Sequence, residues 1–262
     1  MGRLLADNGY SRLAPFWRHW QNDPVHGDKT FLPGTTVAQI ADVYHFDSEL
    51  RHILSVGLER FEVALRSRLG QEMAMAGIAF TYEEYSLYIS SSSRNGSVDA
   101  RQDLLDSMTR ELDRSKESFI TGYIAHNDTP PVWLAMEAFT LSTVSKMYRL
   151  IDHSDIRYRI ARGFGYPHSH FAEATFHSLT ILRNICAHHA RLWHRSDIQY
   201  APPVLKRLQI NSDKTMYQRT PWAWVTILAD LVDRIDHDTS YSASLGNLIQ
   251  NHPQYVNGLQ YP

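Results

Sequence analysis

The chain has 262 residues; 26 are Lys or Arg and 28 are Asp or Glu, so the formal charge is −2 at pH 7. That near-balance excludes a polybasic protein that coats nucleic acid by bulk electrostatics, and a hydrophobic share of 43% excludes a charged disordered chain. The single cysteine, Cys186, excludes intrachain disulfides and paired-CxxC zinc sites.

The opening MGRLLADNGYSRL has no apolar core of signal-peptide length, and Ala6 stands where N-myristoylation wants Ser or Thr. No uncharged apolar run approaches the roughly 20 residues of a membrane span. The expected setting is the cytoplasm, with no membrane partner.

The predicted elements follow a helical period. A short helix is expected over 37–44. Asp47 and Ser48 then offer N-cap oxygens to a long helix from Glu49 to about Met75. Its apolar residues Leu50, Ile53, Leu54, Leu58, Phe61, Leu65 and Leu69 recur at spacings of three and four. Arg51, Glu59, Glu62, Arg66 and Arg68 form its polar side, where the spacing suits ion pairs and a role in orienting Arg183. Residues 77–97 read as a loop that includes the SSSRNGS run. Asp99 opens a second long helix to about His126. Pro130 and Pro131 stop it and start an apolar helix from Val132 to Ile151. Glu137 is the only acid between Val132 and Val144, so a buried carboxylate paired with Arg183 is expected there.

A short helix over Asp155–Arg162 ends in the turn GFGYP, and His168 to about Trp193 forms a further major helix. Residues 196–219 read as a loop or arm, and C-terminal helices occupy 220–250, opened by Thr220-Pro221. The tail, with Pro253 and Gly258, reads as poorly ordered. No segment alternates like a strand. The fold class is all-α, a single domain over 1–262 with its core at about 35–195.

The chemistry gathers in RNICAHHARLWHR, Arg183 to Arg195, which holds three Arg, three His and no acid. On a continued helix Asn184, His188, Arg191 and Arg195 share one stripe, with Arg183 at its edge. A phosphodiester accounts for that clustering. Arg offers a planar fork of donors to phosphate oxygens, His moves a proton near neutral pH, and Asn orients either partner or the ribose. Together they suit metal-free RNA cleavage in which the 2′-OH attacks phosphorus and yields a 2′,3′-cyclic phosphate and a 5′-OH. A solvated charged face is the plain alternative. Arg162 and His168 flank a turn rather than sharing a helix, and His237-Asp238 lacks the further ligands a metal site needs. Adjacent His188 and His189 diverge by about 100° on a helix, which disfavours chelation. Cys186 reads as a small packing residue, and Trp222, Trp224 and Tyr217 as core aromatics.

Four stretches in order resemble the Abi-like (abortive infection) family, within the HEPN superfamily of helical domains. GYSRLAPFW at 9–17 is similar to its GYYRLS motif. YHFDSELRHILSVGLERFEVALRSRL at 44–69 is similar to its FDxxLR and ERIEVALR helix. PPVWLAMEAFTLSTVSKMY at 130–148 is similar to its PPxWMAxE helix, and Arg183–Arg195 to its RNxxAHHxRLWNR signature. The resemblance implies a HEPN-like helical bundle with additional helices, a homodimer with a composite cleft, and an endoribonuclease of phage-defence or toxin–antitoxin type. It assigns catalysis to Arg183, His188 and Asn184 and matches His189 to the second His of its AHH triplet; Arg191 and Arg195 from the stripe, His194 beside it and Glu137 join His189 as the expected RNA-binding or auxiliary residues. It calls for no cofactor and no metal. RNA is the implied substrate, and a small non-coding RNA antitoxin the implied partner. His194 replaces the Asn of LWNR and adds a titratable group. Family members usually carry more chain before GYYRLS, so a missing or shortened N-terminal helix is expected. The alternatives are a non-catalytic RNA-binding HEPN module and, further off, a metal phosphohydrolase.

Overall fold

The computed structural model describes residues 2–90, 99–196, 198–210 and 212–262; the SSSRNGS run lies outside them. Among the described residues the fold is predominantly helical, with twelve α-helices. It also contains a two-stranded antiparallel hairpin, β1 (Gln21–Asp23) and β2 (Asp28–Phe31), with Gln21 opposite Phe31 and Asp23 opposite Asp28. The hairpin corrects the expectation of no strands. Apart from Phe31 its residues are polar, and all but Gln21 are exposed, so no alternation marks it. No helix is long and apolar enough to cross a membrane among the described residues.

The chain divides into two compact units: Met1–Leu58 with Ile181–Asp233 and Asp238–Pro262, and Glu59–Thr180 with Arg234–His237. The first unit opens with α1 (Gly2–Asn8) and α2 (Tyr10–Trp17), which runs on into a 3₁₀ turn at Arg18–Trp20. Leu13 and Trp17 of α2 pack on Ile40 together with Leu4, Leu5 and Tyr44. The unit also takes the start of α3 (Val37–Met75), the end of α9 (Ser169–Ala187), α10 (Pro221–Asp236) up to Asp233, α11 (Ser240–Asn251) and α12 (Asn257–Gln260). Gly57 on α3 is a point of close approach: a Cβ there would stand 2.2 Å from the hydroxyl of Tyr241 on α11. That hydroxyl donates to the Ile53 carbonyl at 3.1 Å.

Helix α3 corrects the predicted break before Glu49. It continues through Asp47 and Ser48 for 39 residues, about 58 Å. Asp47 is therefore no N-cap; its carboxylate is fully buried and taken up by distant partners. Arg51, expected on the polar side, is buried beside it and donates to Asp47 Oδ2. The C-terminal helices expected over 220–250 are α10 and α11, while the tail beyond them is ordered into a 3₁₀ turn at Pro253–Tyr255 and α12, contrary to the expectation of disorder.

The second unit packs the rest of α3 with α4 (Ala100–Arg114), α5 (Ser118–Ala125), α6 (Val132–Ala138), α7 (Leu141–Leu150), α8 (Ser154–Gly163) and the start of α9. Phe176 sits at its centre, with ring centroids 5.4 Å from Phe61, 5.1 Å from Phe164 and 4.9 Å from Tyr148. Two predicted helices are each broken in two. Ser115 turns extended after α4. Phe139 and Thr140 turn extended after α6, and the Thr140 hydroxyl accepts from Thr143 N at 3.3 Å to cap α7. The Glu111 carboxylate of α4 fixes that break by accepting from Thr140 N at 2.8 Å and from the Thr143 hydroxyl at 2.9 Å.

Candidate functional site

The last turns of α9 bury Leu182, Ile185 and Cys186 and leave Arg183, Asn184 and His188 exposed. Burial raises the Cys186 thiol to about 11, so it stays protonated and unreactive at neutral pH. The helix stops at Ala187. His189 takes a left-handed φ of 52° and donates its N–H to the Cys186 carbonyl at 3.0 Å, while Ala190 N reaches back to the Ile185 carbonyl at 2.9 Å. These two bonds form a Schellman cap with His189 where glycine is usual. The predicted stripe is therefore cut after His188, because Arg191 and Arg195 lie beyond the helix.

Two groups hold the non-helical segment in place. Asp47 Oδ1 accepts from Leu192 N at 3.0 Å and Trp193 N at 2.7 Å, so a buried carboxylate satisfies two buried N–H groups and Arg51 balances its charge. From α2, Arg12 donates to the His189 carbonyl at 3.0 Å, and Arg191 returns a bond to the Pro15 carbonyl at 3.0 Å. The second bond gives a donor to a carbonyl in the last turn of α2. Residues 9–17 and 183–195 are thus brought together within the first unit. Between them lies an open groove of about 520 Å³ lined by Tyr10, Arg12, His188, His189 and Arg191.

Further along the same segment, Trp193 is buried and its indole N–H donates to the Tyr255 carbonyl at 3.0 Å. His194 also has a positive φ, 52°, and donates its N–H to the Gly258 carbonyl at 2.8 Å. A Cβ on Gly258 would lie 2.3 Å from Trp193 Nε1, so only glycine admits this approach. The His194 ring lies 4.5 Å from that of His19. Burial, with the nearby His19 and Arg191, lowers His194 to about 4, and the ring is neutral at pH 7. Arg195 donates to the Arg191 carbonyl at 3.3 Å. No group of three or more His, Cys, Asp or Glu is placed to hold a metal among the described residues.

Glu137 corrects the expectation of a buried carboxylate. It stands exposed on α6, so no burial cost demands a partner. Arg66 is likewise committed elsewhere: it pairs with Glu62 and donates to the Met136 and Phe139 carbonyls at the end of α6. Arg12, His19 and Asp47 are the residues that sequence reasoning missed at the site. The sequence places Arg12 and Asp47 inside the GYSRLAPFW and YHFDSELR stretches and His19 two residues past the first, but it marks no role there for Arg12 or His19 and only that of an N-cap for Asp47.

The pattern that defines the Abi-like protein family matches residues 3–194. The chain belongs to that family. Abi-like membership points to a part in abortive infection, a form of defence. The matched span ends at His194, the residue that α12 holds, and it covers both stretches that form the groove. No curated protein and no solved structure matches this Abi-like chain.

Proposed function

We propose that this Abi-like protein is a metal-independent endoribonuclease of HEPN type that acts in phage defence as a homodimer. The observation that carries the reading is the exposed trio Arg183, Asn184 and His188 beside a groove whose rim carries Arg12 and Arg191. His188 takes the proton from the ribose 2′-OH as the oxygen attacks phosphorus. Arg183 stabilises the charge that builds on the phosphoryl oxygens, and Asn184 orients the ribose. The 5′-oxygen leaves with a proton from the second copy's site, which gives a 2′,3′-cyclic phosphate and a 5′-OH end. An RNA bound to the same surface acts as the antitoxin. In support, both histidines of the AHH triplet line the groove, open to a ligand.

The test is cleavage of RNA in EDTA with end-group analysis. His188→Ala and Arg183→Ala are expected to lower the rate by about 10²- to 10⁴-fold with an unchanged thermal midpoint. Variants that cleave like wild type overturn the mechanism. Salt-sensitive binding without cyclic-phosphate ends establishes the non-catalytic RNA-binding reading instead.

A further inference from the structure

A second concavity, about 620 Å³, opens in the first unit at Trp193. Its aromatic wall consists of His19, Trp20, Trp193 and Tyr255; its polar edge consists of Gln39, Asp42 and Gln254. Trp20 stacks on Trp193 with centroids 5.8 Å apart and planes inclined by 22°. Trp193 is buried, Trp20 half-buried and His19 exposed, so the accessible ring faces belong to the latter two. His19 stands at 89° to Trp20 with centroids 5.3 Å apart. A flat ring stacked on one would therefore meet the other edge-on, which is the geometry aromatic groups prefer.

The charge of the lining decides the class of ligand. No Lys or Arg lines this slot, and Asp42 supplies a carboxylate. A phosphate is repelled there, and the neighbouring groove with Arg12 and Arg191 is the place for it. A neutral, flat heterocycle with N–H groups on its edge fits. Asp42 Oδ2 already accepts from the Tyr255 hydroxyl at 2.6 Å. Burial and that bond push Tyr255 up to about 12, so it remains the donor. A carboxylate has room for further N–H donors beyond that one. The slot takes His19, Trp20 and Trp193 from the two stretches whose earlier residues, 8–16 and 188–191, line the groove.

We infer that the slot is a base-reading subsite, which takes one unpaired nucleobase of the RNA whose phosphate lies in the adjacent groove. The base stacks on Trp20 and meets His19 edge-on, and an exocyclic amino group donates to Asp42. Adenine, cytosine and guanine carry such a group; uracil has none and is disfavoured. The inference rests on the reading of the protein as one that engages RNA, and deepens it by naming what is read.

The experiment is fluorescence anisotropy with labelled A10, C10 and U10 RNA, using the His188→Ala protein so that the probes survive. A10 and C10 are expected to bind more tightly than U10. Trp20→Ala is expected to weaken A10 binding by about 5- to 150-fold, the span of one stacked base. Trp20→Phe keeps a ring and restores most of it, which separates stacking from a fold defect. Asp42→Asn is expected to raise U10 relative to A10, because an amide also donates. Trp20→Ala binding within twofold of its parent, or a probe order unmoved by Asp42→Asn, overturns the inference. Cleavage is scored separately in the His188-intact protein. Trp20-dependent binding without cyclic-phosphate ends overturns the ribonuclease reading alone; cleavage with Trp20-independent binding overturns this subsite alone.

Discussion

Helix α3 contains two acid–arginine pairs at the same i,i+4 spacing, and they work in opposite senses. In Asp47–Arg51 both side chains are buried, and the acid is the member that reaches out, accepting two N–H groups beyond the end of α9. In Glu62–Arg66 both side chains keep some exposure, and the base reaches out, donating to two carbonyls at the end of α6. A helix that ends leaves donors or acceptors without partners. The guanidinium answers carbonyls that the end of α6 leaves without donors, and the carboxylate answers N–H groups of the non-helical segment beyond α9. The spacing alone states that a pair exists; its surroundings decide which partner is spent outside the helix.

That contrast can be broken at either pair. Asp47→Ala strands a buried guanidinium and two buried N–H groups, and is expected to cost about 3–5 kcal/mol. Chemical denaturation reads the loss, and hydrogen exchange should quicken at Leu192 and Trp193. An unchanged midpoint would show that Asp47 does not hold the segment. Arg66→Ala leaves carbonyls that accept water more readily, at a site with more exposure, so about 1–3 kcal/mol is expected. A larger loss than for Asp47→Ala would reverse the ranking.

The finest distinction is in pH dependence, which His194 brings to the first pair's surroundings. Its folded pKa, about 4, lies below the ordinary 6.5 of histidine. As pH falls below 6.5 the unfolded chain takes up the proton first, so stability present above that pH drains away down to about 4. His194→Asn, the residue of the family motif, removes this drain. The wild type should lose more thermal stability than the variant between pH 6.5 and 4, and parallel melting curves would rule out the linkage.

The sequence displays the helical content and the cluster at 183–195 plainly, since both rest on local composition and period. It conceals what depends on distant partners. Asp47 looks like an N-cap because a capping carboxylate and one that bonds 145 residues away have the same neighbours in the chain. Arg12 carries no mark, because its partner at His189 is a backbone carbonyl. Glu137 looks buried only while 132–151 is read as one helix; the break at Phe139–Thr140 leaves it exposed. Gly258 looks like a breaker, yet its missing side chain makes room for Trp193.

The hold of the C-terminal turns on Trp193 and His194 has a consequence in time. Chains fold as they are made, from the N-terminal end. The bond from Arg12 spans 177 residues, and the last bonds to the segment it meets form only when Tyr255 and Gly258 have been added. A nascent chain therefore carries every residue of the RNICAHHARLWHR cluster well before it can fix their positions. The cluster is in this way present but not fully placed until α12 has been made.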